Sequence, residues 1–190
     1  SILPSYSQQC GSCLQTKTFR DATCHAFQYD FPIDALIRRF KYHGDLTLLP
    51  FFGQCLVDSI KKASMDIDKP DYLIPSPLST RKLQRRGFNQ SQLIANYVSK
   101  LLNIPVLNHS LIRRHIKSNQ VGKLRQQRIK NVEQAFKVIG TLPNDSHIAI
   151  IDDVLTSGAT IEAAAKCLKS AGAIKISAWC LAFTPPSSAF

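Results

Sequence analysis

The sequence predicts an α/β fold built on an open, mostly parallel sheet with helices on both sides. Residues 147–172 read in turn as a buried strand, a loop and a helix. Residues 71–102 repeat that order, and residues 175–182 supply a further apolar strand. Strands that alternate with helices, and are not joined by tight hairpin turns, need crossover connections and so pair in parallel.

The elements follow in chain order. Residues 22–29 alternate well enough to form a strand. Ile33, Leu36, Ile37 and Phe40 take helical spacing, Asp34 falls in the acidic first turn and Gly44 ends the run. The other face carries Arg38, Arg39 and Lys41, either a solvated face or part of an anion-binding surface. Residues 45–63 form a second helix with Pro50 near its first turn and Leu49, Phe52, Leu56 and Ile60 on one side. A short strand at 71–74 is stopped by Pro75-Ser76-Pro77, because proline cannot donate to a ladder. A basic loop with Arg81, Lys82, Arg85, Arg86 and Gly87 follows. Asn89 and Gln92 then resemble a capping box opening a helix to Leu102. Val106, Leu111 and Ile112 suggest a strand, and a basic stretch with Arg113, Arg114, His115, Lys117, Arg125 and Arg128 runs to Lys130. Its three-residue spacing suits a surface helix or a phosphate-backbone track.

The richest chemistry lies in residues 147–160. Four apolar residues, Ile148 to Ile151, lead into Asp152 and Asp153, and after Val154-Leu155 come Thr156, Ser157, Gly158, Ala159 and Thr160. The helix beyond carries Ile161, Ala164, Ala165 and Leu168 on one face and stops at Gly172. Backbone N–H groups at its start lack intrahelical partners, the helix dipole adds positive charge there, and three hydroxyls offer donors, so the loop is an anion cradle. The two carboxylates would repel a phosphate placed directly on them. A ligand with vicinal hydroxyls on one side and a phosphate on the other resolves the conflict, and ribose 5-phosphate has that layout.

Composition bounds the function. The chain has 190 residues, 44% of them hydrophobic and 19% charged, with 24 Lys+Arg against 13 Asp+Glu for a net charge of +11. That balance points to polyanionic partners, nucleic acid or phosphorylated small molecules. No apolar run reaches membrane-spanning length, and no basic-then-apolar leader opens the chain, so a cytoplasmic protein without membrane insertion is expected. Position 1 is Ser and the single methionine is Met65, so a processed or trimmed chain is expected. Cys10 and Cys13 have zinc-knuckle spacing, which is half of a tetrahedral site. Cys24-His25 could complete it, or the pair could be what remains of a larger site; a redox role lacks the helix it would need. Cys55, Cys167 and Cys180 sit in apolar surroundings as small core residues, and His109, His115 and His147 carry no partner spacing.

The loop at 148–160 resembles the phosphoribosyl-pyrophosphate (PRPP) loop of type I phosphoribosyltransferases. Pro75-Ser76-Pro77-Leu78, the arginine-rich spacer, Arg86-Gly87-Phe88-Asn89-Gln90, and Gln120, Leu124, Arg125, Arg128 and Asn131 ahead of Ala135-Phe136 narrow the resemblance to the ComF family of competence and GntX-like proteins. It covers about residues 10–183. It implies a phosphoribosyltransferase-like domain with a small hood over 29–190, behind an N-terminal segment at 1–28 whose Cys10 and Cys13 are the last pair of a zinc module. It also implies that Asp152 and Asp153 hold ribose hydroxyls, that residues 156–160 hold the 5′-phosphate, and that Mg²⁺ accompanies PRPP. The loop at 75–87 would face pyrophosphate with Ser76 as donor, Arg86 as bidentate cation and Gly87 as tight turn. Residues 106–138 would form the hood, with Arg125 and Arg128 offering charge to leaving pyrophosphate. Family membership further implies a role in DNA uptake during natural transformation, with competence-machinery proteins as partners. Arg81, Lys82, Arg85, Arg113, Arg114 and Lys117 are the residues expected to touch single-stranded DNA. The alternatives are an active phosphoribosyltransferase with an unnamed acceptor and a DNA-handling module with a vestigial pocket. No nucleobase-recognition signature is legible.

Overall fold

In the computed structural model the described residues are 18–63, 68–114 and 135–185. The main sheet has four parallel strands in the order β1-β6-β5-β2. They are β1 (Ala22–Gln28), β2 (Tyr72–Pro75), β5 (His147–Leu155) and β6 (Lys175–Phe183). The boundary expected after residue 28 falls at the end of β1, whose register along β6 makes it a strand of this sheet. A two-stranded antiparallel ladder, β3 (Leu111–Arg113) with β4 (Phe136–Val138), stands apart from it. Val106, expected in the same strand as Leu111, instead makes an isolated parallel bridge to Leu73.

The central strands β5 and β6 are almost wholly buried, as their continuous β-branched and apolar composition requires in a sheet covered on both faces. One face packs α1 (Ile33–Arg38), α2 (Leu49–Ala63) and α4 (Gln90–Leu102) around Phe40, Phe52, Leu56, Ile94 and Ala149. The other packs α5 (Ala159–Ser170) and β4 around Ile148, Ile150, Leu168 and Phe136. The first helix leaves α geometry earlier than expected: α1 widens at Arg39 into a π-turn, and Gly44 closes it in the left-handed region at φ 66°.

Two expectations change. The segment expected as a basic loop contains α3 (Thr80–Arg86). Its boundaries are sound helix signals, since Ser79 accepts from the Lys82 N–H and Gly87 stops it at φ 78°. The helix lacks an apolar stripe to announce it: Leu83, its one apolar residue, is 43% exposed. The capping box at Asn89 is half formed. Asn89 accepts from the Ser91 N–H, but Gln92 donates to Asn96 and Asn108 and not back to the cap.

Cys24 and His25 do not come together: they face opposite sides of β1, Cys24 toward one core cluster and His25 toward Phe183 of the other. Cys24 lies in the helical core with its thiol pushed up to about 12 by burial, while the His25 ring packs 5.3 Å from Phe183. Among the described residues no group of three His, Cys, Asp or Glu could hold a metal, and no helix is long and apolar enough to cross a membrane. Cys10 and Cys13 lie outside the described residues.

Candidate functional site

Unequal strand lengths create the site. β2 pairs with β5 only as far as Pro75 opposite Ile151, while β5 continues through Asp152 and Asp153 to Leu155 along β6. The acids therefore sit within the strand, not at its end as expected, and on the β2 side they stand beyond the ladder. The main-chain N–H of Ser76 caps the end of that ladder by donating to Ile151 O at 2.8 Å.

Into the gap come the start of α4 and the turn after α1. Asp153 is buried, its Oδ1 lies 2.8 Å from Lys41 Nζ and its Oδ2 accepts from Gln90 Nε2 at 2.5 Å. Asp152 Oδ1 accepts from Ser91 Oγ at 3.1 Å and from the Asp153 N–H at 2.8 Å, with no cation paired to it directly among the described residues. Burial, and then the neighbouring Asp153 charge, push the Asp152 carboxyl from 3.8 up to about 7. Asp153 has the cation of the pair, and Asp152 is the member that retains a proton toward neutral pH. Lys41 is thus part of the site rather than of a solvated face. Neither it nor Ser91 stood out in the sequence, although Gln90 closes the Arg-Gly-Phe-Asn-Gln string.

The anion loop follows directly. Thr156, Ser157 and Ala159 are exposed, Thr160 is half-buried, and Gly158 is the N-cap of α5 at φ 76° without any side-chain cap. The first N–H groups of α5 are accordingly open to a ligand at the positive end of its dipole.

The expected pyrophosphate residues are close in the fold but differently employed. Ser76 is buried and its carbonyl accepts from Asn89 Nδ2 at 3.1 Å. The Arg86 guanidinium lies 4.8 Å from the Tyr42 ring centroid, and its Nε is buried without a hydrogen-bond partner among the described residues. Gly87 terminates α3. Of the residues expected to meet DNA, Arg81, Lys82 and Arg85 are exposed on α3, with Arg85 5.9 Å from Tyr42. Arg113 lies 5.5 Å from the Phe136 ring and Arg114 is exposed at the end of β3. Lys117, Arg125 and Arg128 lie outside the described residues.

No family model matches the chain. Competence protein F of Haemophilus influenzae is 30% identical over 187 residues, covering 96% of this chain and 81% of that protein. The chain belongs to the ComF competence protein family. The DNA utilization protein YhgH of Escherichia coli K12 is 29% identical to this ComF-family chain, covering 92% of it and 78% of YhgH. Competence protein ComFC of Bacillus subtilis is 30% identical over 77% of this chain and 57% of its own length. Among solved structures, a purine phosphoribosyltransferase from Pyrococcus horikoshii is 20% identical with a TM-score of 0.44, covering 74% of this chain and 78% of that one. Adenine phosphoribosyltransferase of Leishmania tarentolae is 16% identical with a TM-score of 0.45, covering 73% of this chain and 58% of that one.

Proposed function

We propose that this ComF-family protein binds PRPP, or a related ribose 5-phosphate, at the carboxyl end of β5, and that this site serves the uptake and use of DNA. The observation that carries the reading is the adjoining of an acid pair and an uncapped helix start on one strand–loop–helix unit. Asp152 and Asp153 accept from the ribose hydroxyls, while the N–H groups and hydroxyls of residues 156–160 donate to the phosphate. Ser76, Arg86 and Gly87 stand on the side where pyrophosphate would extend. Two adjoining carboxylates, one of them without a paired cation, are hard oxygen donors of the kind that suit Mg²⁺ held jointly with substrate phosphates. Bound there, Mg²⁺ would offset the pyrophosphate charge. Turnover is the enzymatic form of the same reading: displacement of pyrophosphate at the anomeric carbon by an acceptor, with Arg125 and Arg128, outside the described residues, as the cations proposed for the leaving group.

Calorimetric titration with PRPP and Mg²⁺ tests it on wild type and on the Asp152→Asn, Asp153→Asn double variant. Binding by wild type that is lost in the variant is expected. A folded wild type that binds neither PRPP nor ribose 5-phosphate refutes the reading.

A second reading, direct contact with single-stranded DNA, is favoured by Tyr42. That ring is 55% exposed and has Arg85 and Arg86 over it, pairing a stacking surface with two cations. Oligonucleotide affinity should fall steeply with salt and fall again in Tyr42→Ala. Affinity indifferent to both salt and Tyr42 refutes this reading.

A further inference from the structure

Arg20 approaches the phosphate loop from a distant part of the chain. Its Nη1 lies 2.9 Å from where a Cβ on Gly158 would stand, so the guanidinium rests against the N-cap of α5. Its position is fixed twice, by Nε donating to Thr23 Oγ1 at 3.1 Å and by Nη1 donating to Glu162 Oε1. Glu162, in the first turn of α5, also accepts the Phe19 N–H at 2.6 Å through its other oxygen. These bonds occupy Nε and Nη1. Nη2 makes no hydrogen bond among the described residues and stands 3.7 Å from the same Cβ position, beside the loop.

We propose that Arg20 is the cation of the phosphate cradle, with Thr23 holding its guanidinium so that Nη2 donates to a phosphomonoester oxygen held by residues 156–160. This rests on the ribose-phosphate reading of that loop and adds the residue that selects a phosphate dianion over an uncharged group. The electrostatics require such a cation. Glu162 stands one helical turn into α5, and unpaired its carboxylate would oppose a phosphate at the helix start; pairing with Arg20 removes that opposition. The location also gives Gly158 a second reason to lack a side chain, since a Cβ would push the guanidinium from its place as well as straining the backbone.

The test is calorimetric titration of ribose 5-phosphate with Mg²⁺ on wild type, Arg20→Met and Glu162→Gln, each checked for folding by thermal melting. Wild type should bind, and Arg20→Met should bind about ten- to thirtyfold more weakly, as loss of one charge-assisted bond implies. Glu162→Gln keeps an acceptor for Phe19 and leaves the Arg20 charge free of its partner, so it should bind as tightly as wild type or tighter. Wild-type affinity in Arg20→Met overturns the role of Arg20 and leaves the site reading standing. Equal losses in both variants assign the Arg20–Glu162 pair a purely structural role and likewise overturn the proposal. Where Arg20→Met does not fold, Glu162→Gln decides alone: weaker binding overturns the proposal and tighter binding supports it. No binding by wild type removes the site reading and this inference together.

Discussion

Replacing Asp152 by Asn should make the protein more stable, by an amount that grows with pH. In the folded chain Asp152 holds its proton to about 7, against 3.8 for an ordinary carboxyl, because burial and Asp153 both disfavour its ionised form. In the unfolded chain it ionises near the ordinary value, so between the two the folded state binds the extra proton and stability falls as pH rises. Below the unfolded value both states are protonated and there is no penalty; above the folded value the penalty is complete. A shift of about three units at about 1.4 kcal/mol each sets a ceiling of about 4 kcal/mol. Asp152 is only partly buried, and solvent screening reduces the expected gain to about 1–3 kcal/mol. The amide of the Asp152→Asn variant keeps an oxygen for Ser91 and loses only the charge. Urea unfolding of both proteins from about pH 5 to about pH 8 checks this, with their difference isolating the site because titrations they share cancel. His147 is one such group: burial lowers its pKa, so it adds stability as pH rises, equally in both proteins. A difference that stays flat with pH, or a variant less stable than wild type at about pH 8, would overturn this account of Asp152.

Other perturbations probe the supports of the site. Lys41→Met leaves a buried carboxylate without its cation, 2.8 Å away in wild type, and should cost about 3 kcal/mol by denaturant unfolding, with recovery when Asp153 is also made Asn. Gly158→Ala should cost about 1–2 kcal/mol from its φ of 76° and weaken ribose 5-phosphate binding by no more than the about ten- to thirtyfold of Arg20→Met, since the new Cβ displaces Arg20. Gly53→Ala should cost about 1–3 kcal/mol without touching ligand affinity, because its Cβ would stand 2.2 Å from Tyr97 Cδ1 where α2 and α4 meet. Ligand binding with Mg²⁺ near neutral pH should release a proton from Asp152; calorimetry in buffers of different ionisation enthalpy measures it, and buffer-independent heats would contradict it.

The sequence made β5, α5 and β6 legible because their signals are local. A continuous apolar run, helical spacing at Ile161, Ala164, Ala165 and Leu168, and Gly172 at φ 107° each act within a few residues. The acid pair and the loop were legible for the same reason. What escaped was whatever depends on distance along the chain. Lys41 is recruited across more than a hundred residues by a helix packing on the sheet, and in the sequence it is one of three neighbouring cations on a polar face. Ser91 and Gln90 read as ordinary first-turn residues until α4 docks beside the overhanging end of β5. Arg20 gives no signal of its role, because Thr23 lies only three residues on but Glu162, its other anchor, becomes a neighbour only through the pairing of β1 with β6 and the packing of α5. α3 escaped for the opposite reason: its caps are local, but it buries no stripe that periodicity could detect.

The charge balance of the site argues for a ligand that arrives with its own cation. Asp152, Asp153 and Glu162 face Lys41 and Arg20, and each cation is already committed to one acid. That leaves Asp152, which the protein accommodates only by keeping it protonated or by stabilising its anion from outside. A phosphate brought alone would worsen the imbalance, and a cation alone would find two carboxylates and too few further donors to complete a shell, since no third acid joins them among the described residues. A sugar phosphate carrying a divalent ion would satisfy both, with Asp152 accepting the ion's charge and the start of α5 accepting the phosphate. Affinity for the pair should therefore exceed what either component shows separately, and titrations of ribose 5-phosphate with and without Mg²⁺ should differ far more in wild type than in Asp152→Asn. Equal metal dependence in the two proteins would place the ion elsewhere and remove Asp152 from the account.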